Sequence, residues 1–201
     1  MEYLGTILLS LILSAPTLAD DTILPWTANP GEVSVEVGCH QKLLPLEQLE
    51  FLDTEMNSLH LVIFLGTDCP ISQKYMHTLR ELFDEFGDRV AIYGLVPKNF
   101  DDKQIAGFKT DYRVPFKLIR DDENRYSRIM NATITPEVFL FDRFGYVHYD
   151  GAIDNWFFAL GRNRLKPTEH YLRDAISQLL AAKPVAVKHK DAIGCLIEKK
   201  H

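Results

Sequence analysis

The residue with the most chemistry to offer is Cys69, in the stretch Gly66-Thr67-Asp68-Cys69-Pro70-Ile71-Ser72. It stands between the apolar run HLVIFL, residues 60–65, and a segment with a helical pattern. A thiol at such a junction meets unpaired backbone N–H groups and the positive end of a helix dipole, and both favour the thiolate. Pro70 suits the first helical turn, because it has no N–H to leave unpaired there. Ser72 is placed to hydrogen-bond the sulfur. Asp68 acts in the opposite sense, since a neighbouring carboxylate opposes a second negative charge. The chemistry expected of Cys69 is nucleophilic attack on a disulfide or a peroxide. The competing use, a small apolar residue filling a core, is the ordinary fate of an isolated cysteine.

Attack on a disulfide, or oxidation to a sulfenic acid, creates an adduct that a second thiol must resolve. Cys39 and Cys195 are the candidates. Cys195 lies in the apolar island Ala192-Ile193-Gly194-Cys195-Leu196-Ile197 and is the expected resolving thiol. A structural Cys39–Cys195 disulfide that leaves Cys69 free fits an oxidising compartment equally well. A different class of function is suggested by the neighbours Cys39-His40, because thiolate and imidazole suit copper or zinc. Cys69, His77, His148 and His189 could add ligands, but no pair shows the tight spacing of a zinc motif. No resident metal and no organic cofactor is therefore expected, and His77 is expected to face solvent.

These residues need a scaffold. Runs rich in β-branched and aromatic residues at Val33–Val37, Leu61–Leu65, Val90–Val96, Pro115–Ile119, Val138–Phe141 and Tyr146–Tyr149 predict strands. Leu61–Leu65 and Val138–Phe141 are apolar at every position, as strands covered on both faces are. Helices are predicted where Tyr75, Met76, Leu79, Leu82, Phe83 and Phe86 recur, and again at Leu172, Ala175, Ile176, Leu179 and Leu180. Shorter helices are expected over Asp101–Tyr112 and Glu123–Met130. Asp142-Arg143-Phe144-Gly145 supplies turn chemistry for a hairpin between the last two strands. Parallel crossovers followed by an antiparallel hairpin give a mixed α/β sheet with helices on both faces. Trp156, Phe157 and Phe158 are expected to pack in the core, and Asp154 with Arg162 to form no more than a loop ion pair. Beyond the last helix, residues 183–201 show no helical period and fit either a mobile tail or an extended arm; the apolar island favours some anchorage.

Composition narrows the class of partner. The chain has 201 residues, 46% hydrophobic and 25% charged, which suits one globular domain with a sizeable core. Its first nineteen residues, MEYLGTILLSLILSAPTLA, carry a largely apolar stretch from Ile7 to Leu18 ending in small residues and are expected to be a signal peptide. The stretch falls below the roughly 20 residues needed to span a bilayer, and Pro16 interrupts it. The expected organisation is 1–19 signal peptide, 20–182 folded domain and 183–201 tail, with export to a periplasm or beyond the cell. Losing Glu2 with the signal segment takes the net charge from −6 to −5. That balance disfavours nucleic acid, whose phosphates need clustered basic side chains.

Thr135-Pro136 stands directly before the Val138–Phe141 strand, where a proline is placed to hold a cis bond. A strand, a Cys-Pro helix start, a Thr-Pro, a hairpin and a last amphipathic helix together resemble the thioredoxin superfamily over roughly Val33 to Ala182. The separation of 67 positions from Cys69 to Pro136 leaves room for an extra strand-helix unit. With that length, TDCPIS resembles the redoxins of the alkyl hydroperoxide reductase and thiol-specific antioxidant type, and the exported thiol-disulfide oxidoreductases built on the same fold. The resemblance implies that Cys69 attacks, and that Pro70, Thr135 and Pro136 shape the substrate groove. It implies a thiol- or disulfide-bearing protein or a small peroxide as substrate, and a reducing thiol partner. Two departures stand out. Ser72 replaces the second cysteine of a Cys-x-x-Cys motif, so no thiol exchange can occur within the helix turn. The threonine that peroxiredoxins carry three residues before the peroxidatic cysteine is Gly66 here, and neither Arg113 nor Arg120 matches their peroxide-polarising arginine. Thiol-disulfide exchange therefore leads peroxide reduction; a copper-binding or metallochaperone protein and a redox-inactive binding domain are the alternatives.

Overall fold

The computed structural model describes residues 42–53, 57–97 and 100–198. The strand expected at Val33–Val37, the signal segment, Cys39 and His40 lie outside the described residues. The strands, in chain order, are β1 (Leu59–Phe64), β2 (Val90–Pro97), β3 (Lys117–Asp121), β4 (Ile134–Thr135), β5 (Glu137–Asp142), β6 (Val147–Gly151), β7 (Phe157–Ala159), β8 (Arg162–Asn163), β9 (His189–Lys190) and β10 (Cys195–Leu196). The helices are α1 (Pro70–Phe86), α2 (Asp102–Asp111), α3 (Arg125–Met130) and α4 (Tyr171–Leu180).

The main sheet runs β3-β2-β1-β5-β6-β9. The β1–β2 and β2–β3 pairs are parallel, whereas β1–β5 and β5–β6 are antiparallel. This is the mixed sheet that two crossovers and a terminal hairpin require. β1 is buried at all six positions because it lies between β2 and β5 and is covered above and below. Its alternate residues feed two cores. Leu59, Leu61 and Ile63 join Val138 and Leu140 under α1 and α4, with Phe108 of α2. Val62 and Phe64 join Phe139 and Phe141 on the opposite side, closed by Leu44, Leu49, Met130 and Ala132. Period-two alternation within a uniformly apolar run explains how one strand supplies both layers.

Local chemistry sets the ends of the elements. α1 buries Ile71, Tyr75, Met76, Leu79, Leu82 and Phe86, the stripe expected at three- and four-residue spacing. α2 begins in a capping box: the Asp101 carboxylate accepts from the Gln104 N–H at 2.8 Å, and the Gln104 side chain accepts from the Asp101 N–H at 2.8 Å. α3 starts at Arg125, later than the expected Glu123, because Glu123 and Asn124 have φ of 58° and 53° and cannot continue a right-handed helix. The buried Asp121 carboxylate takes over the capping, accepting from the Tyr126 and Ser127 N–H groups. The β5–β6 turn is tied by Asp142, which accepts from the Phe144 and Tyr146 N–H groups and contacts His148 Nε2 at 2.9 Å.

Three expectations need correction or refinement. The segment after α4 is an extended arm: β9 pairs with β6 and β10 with β4. Asp154 is not a loop ion pair with Arg162. Only 3% exposed, its Oδ1 accepts from the Tyr75 hydroxyl at 2.6 Å and the Trp156 N–H at 2.8 Å, whereas Arg162 is exposed. Of the aromatic run, Trp156 and Phe157 pack on Tyr75, whereas Phe158 is exposed and lies beneath the Arg164 guanidinium. Phe158 belongs to a β7–β8 hairpin that turns it away from the core. No helix among the described residues is long and apolar enough to cross a membrane.

Candidate functional site

β1 delivers Cys69 to the start of α1 through the short link 65–68. Cys69 is the N-cap residue, extended at φ −74° and ψ 113°, and Pro70 opens the helix. The side chain is buried, only 1% exposed, and its sulfur lies 3.2 Å from the Thr135 carbonyl oxygen, to which the thiol donates. The Thr135-Pro136 bond is cis. The loop carrying it is fixed from behind by Glu137, whose carboxylate accepts from the Thr133 and Ile134 N–H groups at 2.8 and 3.2 Å. Burial raises the Glu137 carboxyl above its ordinary range, against the pull of those two donors. Nothing in the sequence marks Glu137, since a carboxylate entering a strand is unremarkable until its loop is seen.

Gly66 determines how close that loop can come. A Cβ built on it would lie 2.9 Å from Thr135 Oγ1 and 3.0 Å from Cys69 Cβ, so any side chain there would displace the loop or the cysteine. The Gly66 N–H donates to Ser72 Oγ at 3.3 Å, which leaves the buried Ser72 hydroxyl hydrogen free to point at sulfur.

The third component comes from the far end of the chain. β10 pairs antiparallel with β4, Cys195 opposite Thr135 and Leu196 opposite Ile134. Cys195 thereby stands opposite the residue whose carbonyl accepts from Cys69, close enough for the two thiols to bear on each other's ionisation. The two thiols are electrostatically unlike. Burial would push Cys69 upward, but the Cys195 thiol, the Ser72 N–H and hydroxyl, and the Ile71 N–H outweigh it and hold Cys69 below the ordinary thiol range. Cys195 is pushed up to about 12, first by burial, then by its hydrogen bond to Cys69 and by the charges of Cys69 and Asp68. Such a pair ionises at Cys69 first, with Cys195 keeping its proton as donor.

The structure thus places Cys69, Pro70, Ser72, Thr135, Pro136 and Cys195 around one point. Among the described residues it does not gather the candidate metal ligands. His77 is exposed beside Glu81, His148 contacts Asp142, and His189 lies between Asp150 and Asp191. Among the described residues no group of three or more His, Cys, Asp or Glu could hold a metal ion.

The chain is similar to several solved structures at identities low enough that only the fold is shared. An uncharacterized conserved protein from Geobacillus kaustophilus is 23% identical with a TM-score of 0.65, over 71% of this chain and 78% of that one. A hypothetical protein from Sinorhizobium meliloti 1021 is 21% identical with a TM-score of 0.62, over 80% of this chain and 91% of that one. A thioredoxin-like protein in the oxidized form is 12% identical with a TM-score of 0.50, over 68% and 84%. No curated protein matches the chain. The AhpC/TSA family pattern matches residues 46–150, a span running from the segment before β1 through the β5–β6 hairpin and so taking in Cys69 and the cis-proline loop. With that span covering just over half of its length, the chain belongs to the AhpC/TSA family.

Proposed function

We propose that this protein is an exported thiol-disulfide oxidoreductase in which Cys69 is the attacking thiolate and Cys195 the resolving thiol. Its family supports a redox role in general. The observation that carries the specific reading is the β4–β10 register, which sets Cys195, 126 positions along the sequence, opposite Thr135, whose carbonyl lies 3.2 Å from the Cys69 sulfur. The Cys69 thiolate attacks one sulfur of a substrate disulfide, forming a mixed disulfide and releasing the other substrate sulfur as a thiolate. Covalent capture removes the negative charge on Cys69, one of the causes holding Cys195 protonated. Cys195 then loses its proton and attacks Cys69 Sγ. The second substrate thiolate leaves, and two electrons have passed from the protein to the substrate. The resulting Cys69–Cys195 disulfide is returned to the dithiol by an external reducing thiol. Ser72 stabilises the Cys69 thiolate as attacking and leaving group, and Thr135 and Pro136 form the wall of the substrate groove.

Reduction of a small hydroperoxide would use the same pair: Cys69 takes the terminal oxygen as a sulfenic acid, and Cys195 condenses with it, releasing water. The Gly66 geometry favours the disulfide reaction, because no hydroxyl-bearing side chain fits where a peroxiredoxin threonine stands. Export rests on the pattern of residues 1–19 alone.

Mass spectrometry of the oxidised protein tests this directly. A Cys69–Cys195 bridge is expected, together with loss of turnover in Cys69→Ser. A Cys39–Cys195 bridge, or a Cys69→Ser variant with full turnover, refutes it.

A further inference from the structure

The β4 edge beside Cys69 is not free. Residues 194–197 lie along it as a strand, with the β10 register extended by the Ile197 N–H donating to the Thr133 carbonyl at 2.8 Å. The Thr135 hydroxyl donates to the Cys195 carbonyl at 3.4 Å. The strand is seated tightly: a Cβ on Gly194 would lie 2.1 Å from the Thr135 carbonyl oxygen. Ile197 is buried in the core that contains Met130 and Ala132, and the Glu198 carbonyl accepts from the Asn124 side chain at 2.5 Å. Leu196, on the outer side, is 78% exposed, so the strand is a thin cover.

A second, separate clamp holds the same arm upstream. β9 runs parallel to β6, with the Asp150 and Ala152 N–H groups donating to the Lys188 and Lys190 carbonyls at 3.1 and 2.8 Å. Gly151, at φ +111°, admits the arm's backbone so closely that a Cβ there would fall 1.8 Å from the Lys190 carbonyl oxygen. Only residues 191–193 connect the two clamps. β10 can therefore leave β4 while β9 keeps it tethered, and a tether this short returns it at high effective concentration.

We infer that residues 194–197 are a tethered gate: they fill the backbone edge onto which an extended, disulfide-bearing segment of a partner protein must add, so protein-sized substrates reach Cys69 only when β10 lets go. Strand addition to an open edge is the usual way an extended segment is held, and two strands cannot use one edge at once. Small disulfides and peroxides need no edge and are far less affected by the gate. The proposal deepens the disulfide-exchange reading and rests on its assignment of Cys69 as the attacking thiol, but its test does not use Cys195 chemistry.

In the full-length Cys195→Ser chain, Cys69 is alkylated by iodoacetamide and, separately, by a maleimide carrying a protein-sized polyethylene glycol, with peptide mapping to count Cys69 alone. Gly194→Val, which drives a side chain into the Thr135 carbonyl, and Ile197→Ala, a milder change that keeps the fold, are compared with that background. Each is expected to expose the Ile197 amide to hydrogen exchange. Each should also raise the ratio of bulky to small labelling about tenfold, the equivalent of about 1.4 kcal/mol of lost closing free energy. An unchanged ratio with the Ile197 amide exchanging freely overturns the gate. So does an Ile197 amide that stays protected in both variants, since these contacts would then not be what closes it. Failure of the disulfide-exchange reading shows up elsewhere, as the wrong bridge in the wild-type chain or as full turnover in Cys69→Ser.

Discussion

Replacing Cys195 with alanine should leave less of Cys69 as thiolate below its midpoint, without opening the site. In the folded protein the Cys195 thiol is the first of the donors that hold Cys69 below the ordinary thiol range, ahead of Ser72 and Ile71. A hydrogen bond to a charged group contributes about 1.5–3 kcal/mol, and a thiol is a weak donor, so the lower end applies. About 1.4 kcal/mol is a factor of ten in the thiolate equilibrium. Iodoacetamide should therefore alkylate Cys69 about tenfold more slowly in Cys195→Ala at a pH below both midpoints. The sign follows from the acid form: losing a donor to the thiolate raises the midpoint, so the rate profile moves to higher pH. Well above both midpoints the variant should react at least as fast as wild type, because Gly194 and Ile197 still seat β10, access is unchanged, and the more basic thiolate is intrinsically the more nucleophilic. Cys195→Ser, which keeps a hydroxyl donor, should stay much closer to wild type than Cys195→Ala does. Coincident pH profiles for wild type and Cys195→Ala would refute the assignment of Cys195 as a donor to Cys69. A rate deficit persisting at high pH would show that access, not ionisation, had changed.

Further outcomes follow from other contacts. Ser72→Ala should also raise the Cys69 midpoint, and it should cost about 1–3 kcal/mol in denaturant unfolding because the buried Gly66 N–H loses its acceptor. Stability unchanged within error would contradict that bond. Gly66→Thr, which restores the peroxiredoxin-like residue, should destabilise the fold by about 1–3 kcal/mol through its collision with Thr135 and Cys69, and it should add no peroxidase activity. A gain in peroxide turnover would show that the pocket can relax around a threonine. His60 is fully buried, stacked on Phe141, with neither ring nitrogen hydrogen-bonded among the described residues. Burial lowers its pKa, so the folded state resists protonation and stability falls as pH drops below about 6.5, the unfolded value. His60→Phe should remove that dependence and stabilise the protein by up to about 2 kcal/mol near pH 5 relative to its effect near pH 8. A constant difference between the two proteins across that range would exclude His60 as the titrating group.

What could be read from residue order was whatever repeats locally. Leu61–Leu65 and Val138–Phe141 announced buried strands, α1 and α4 announced themselves by a three- and four-residue apolar spacing, and Cys-Pro marked a helix start. The run Pro115–Ile119 lies two residues ahead of β3, which spans Lys117–Asp121, and α3 starts late because Glu123 and Asn124 adopt left-handed backbone. The short strands were not legible. Two residues cannot show an alternation, so β4, β9 and β10 exist only through the partners they pair with. The same limit hid Glu137, whose importance lies in the two N–H groups it accepts, and Asp154, whose partner Tyr75 is 79 positions away.

By itself the sequence determined that the chain forms a mixed α/β sheet, that a thiol stands at a helix start behind a buried strand, and that Ser72 leaves that helix turn with a single thiol. Periodicity and covalent identity are local properties, written residue by residue. Only the tertiary structure decided which distant groups meet Cys69. Cys195 arrives because Gly194 has no side chain to strike the Thr135 carbonyl and Ile197 has a core to enter. The polarity of the pair, Cys69 lowered and Cys195 raised, is equally a product of folding: it arises from burial and from donors supplied by α1 and β10 that no linear spacing encodes.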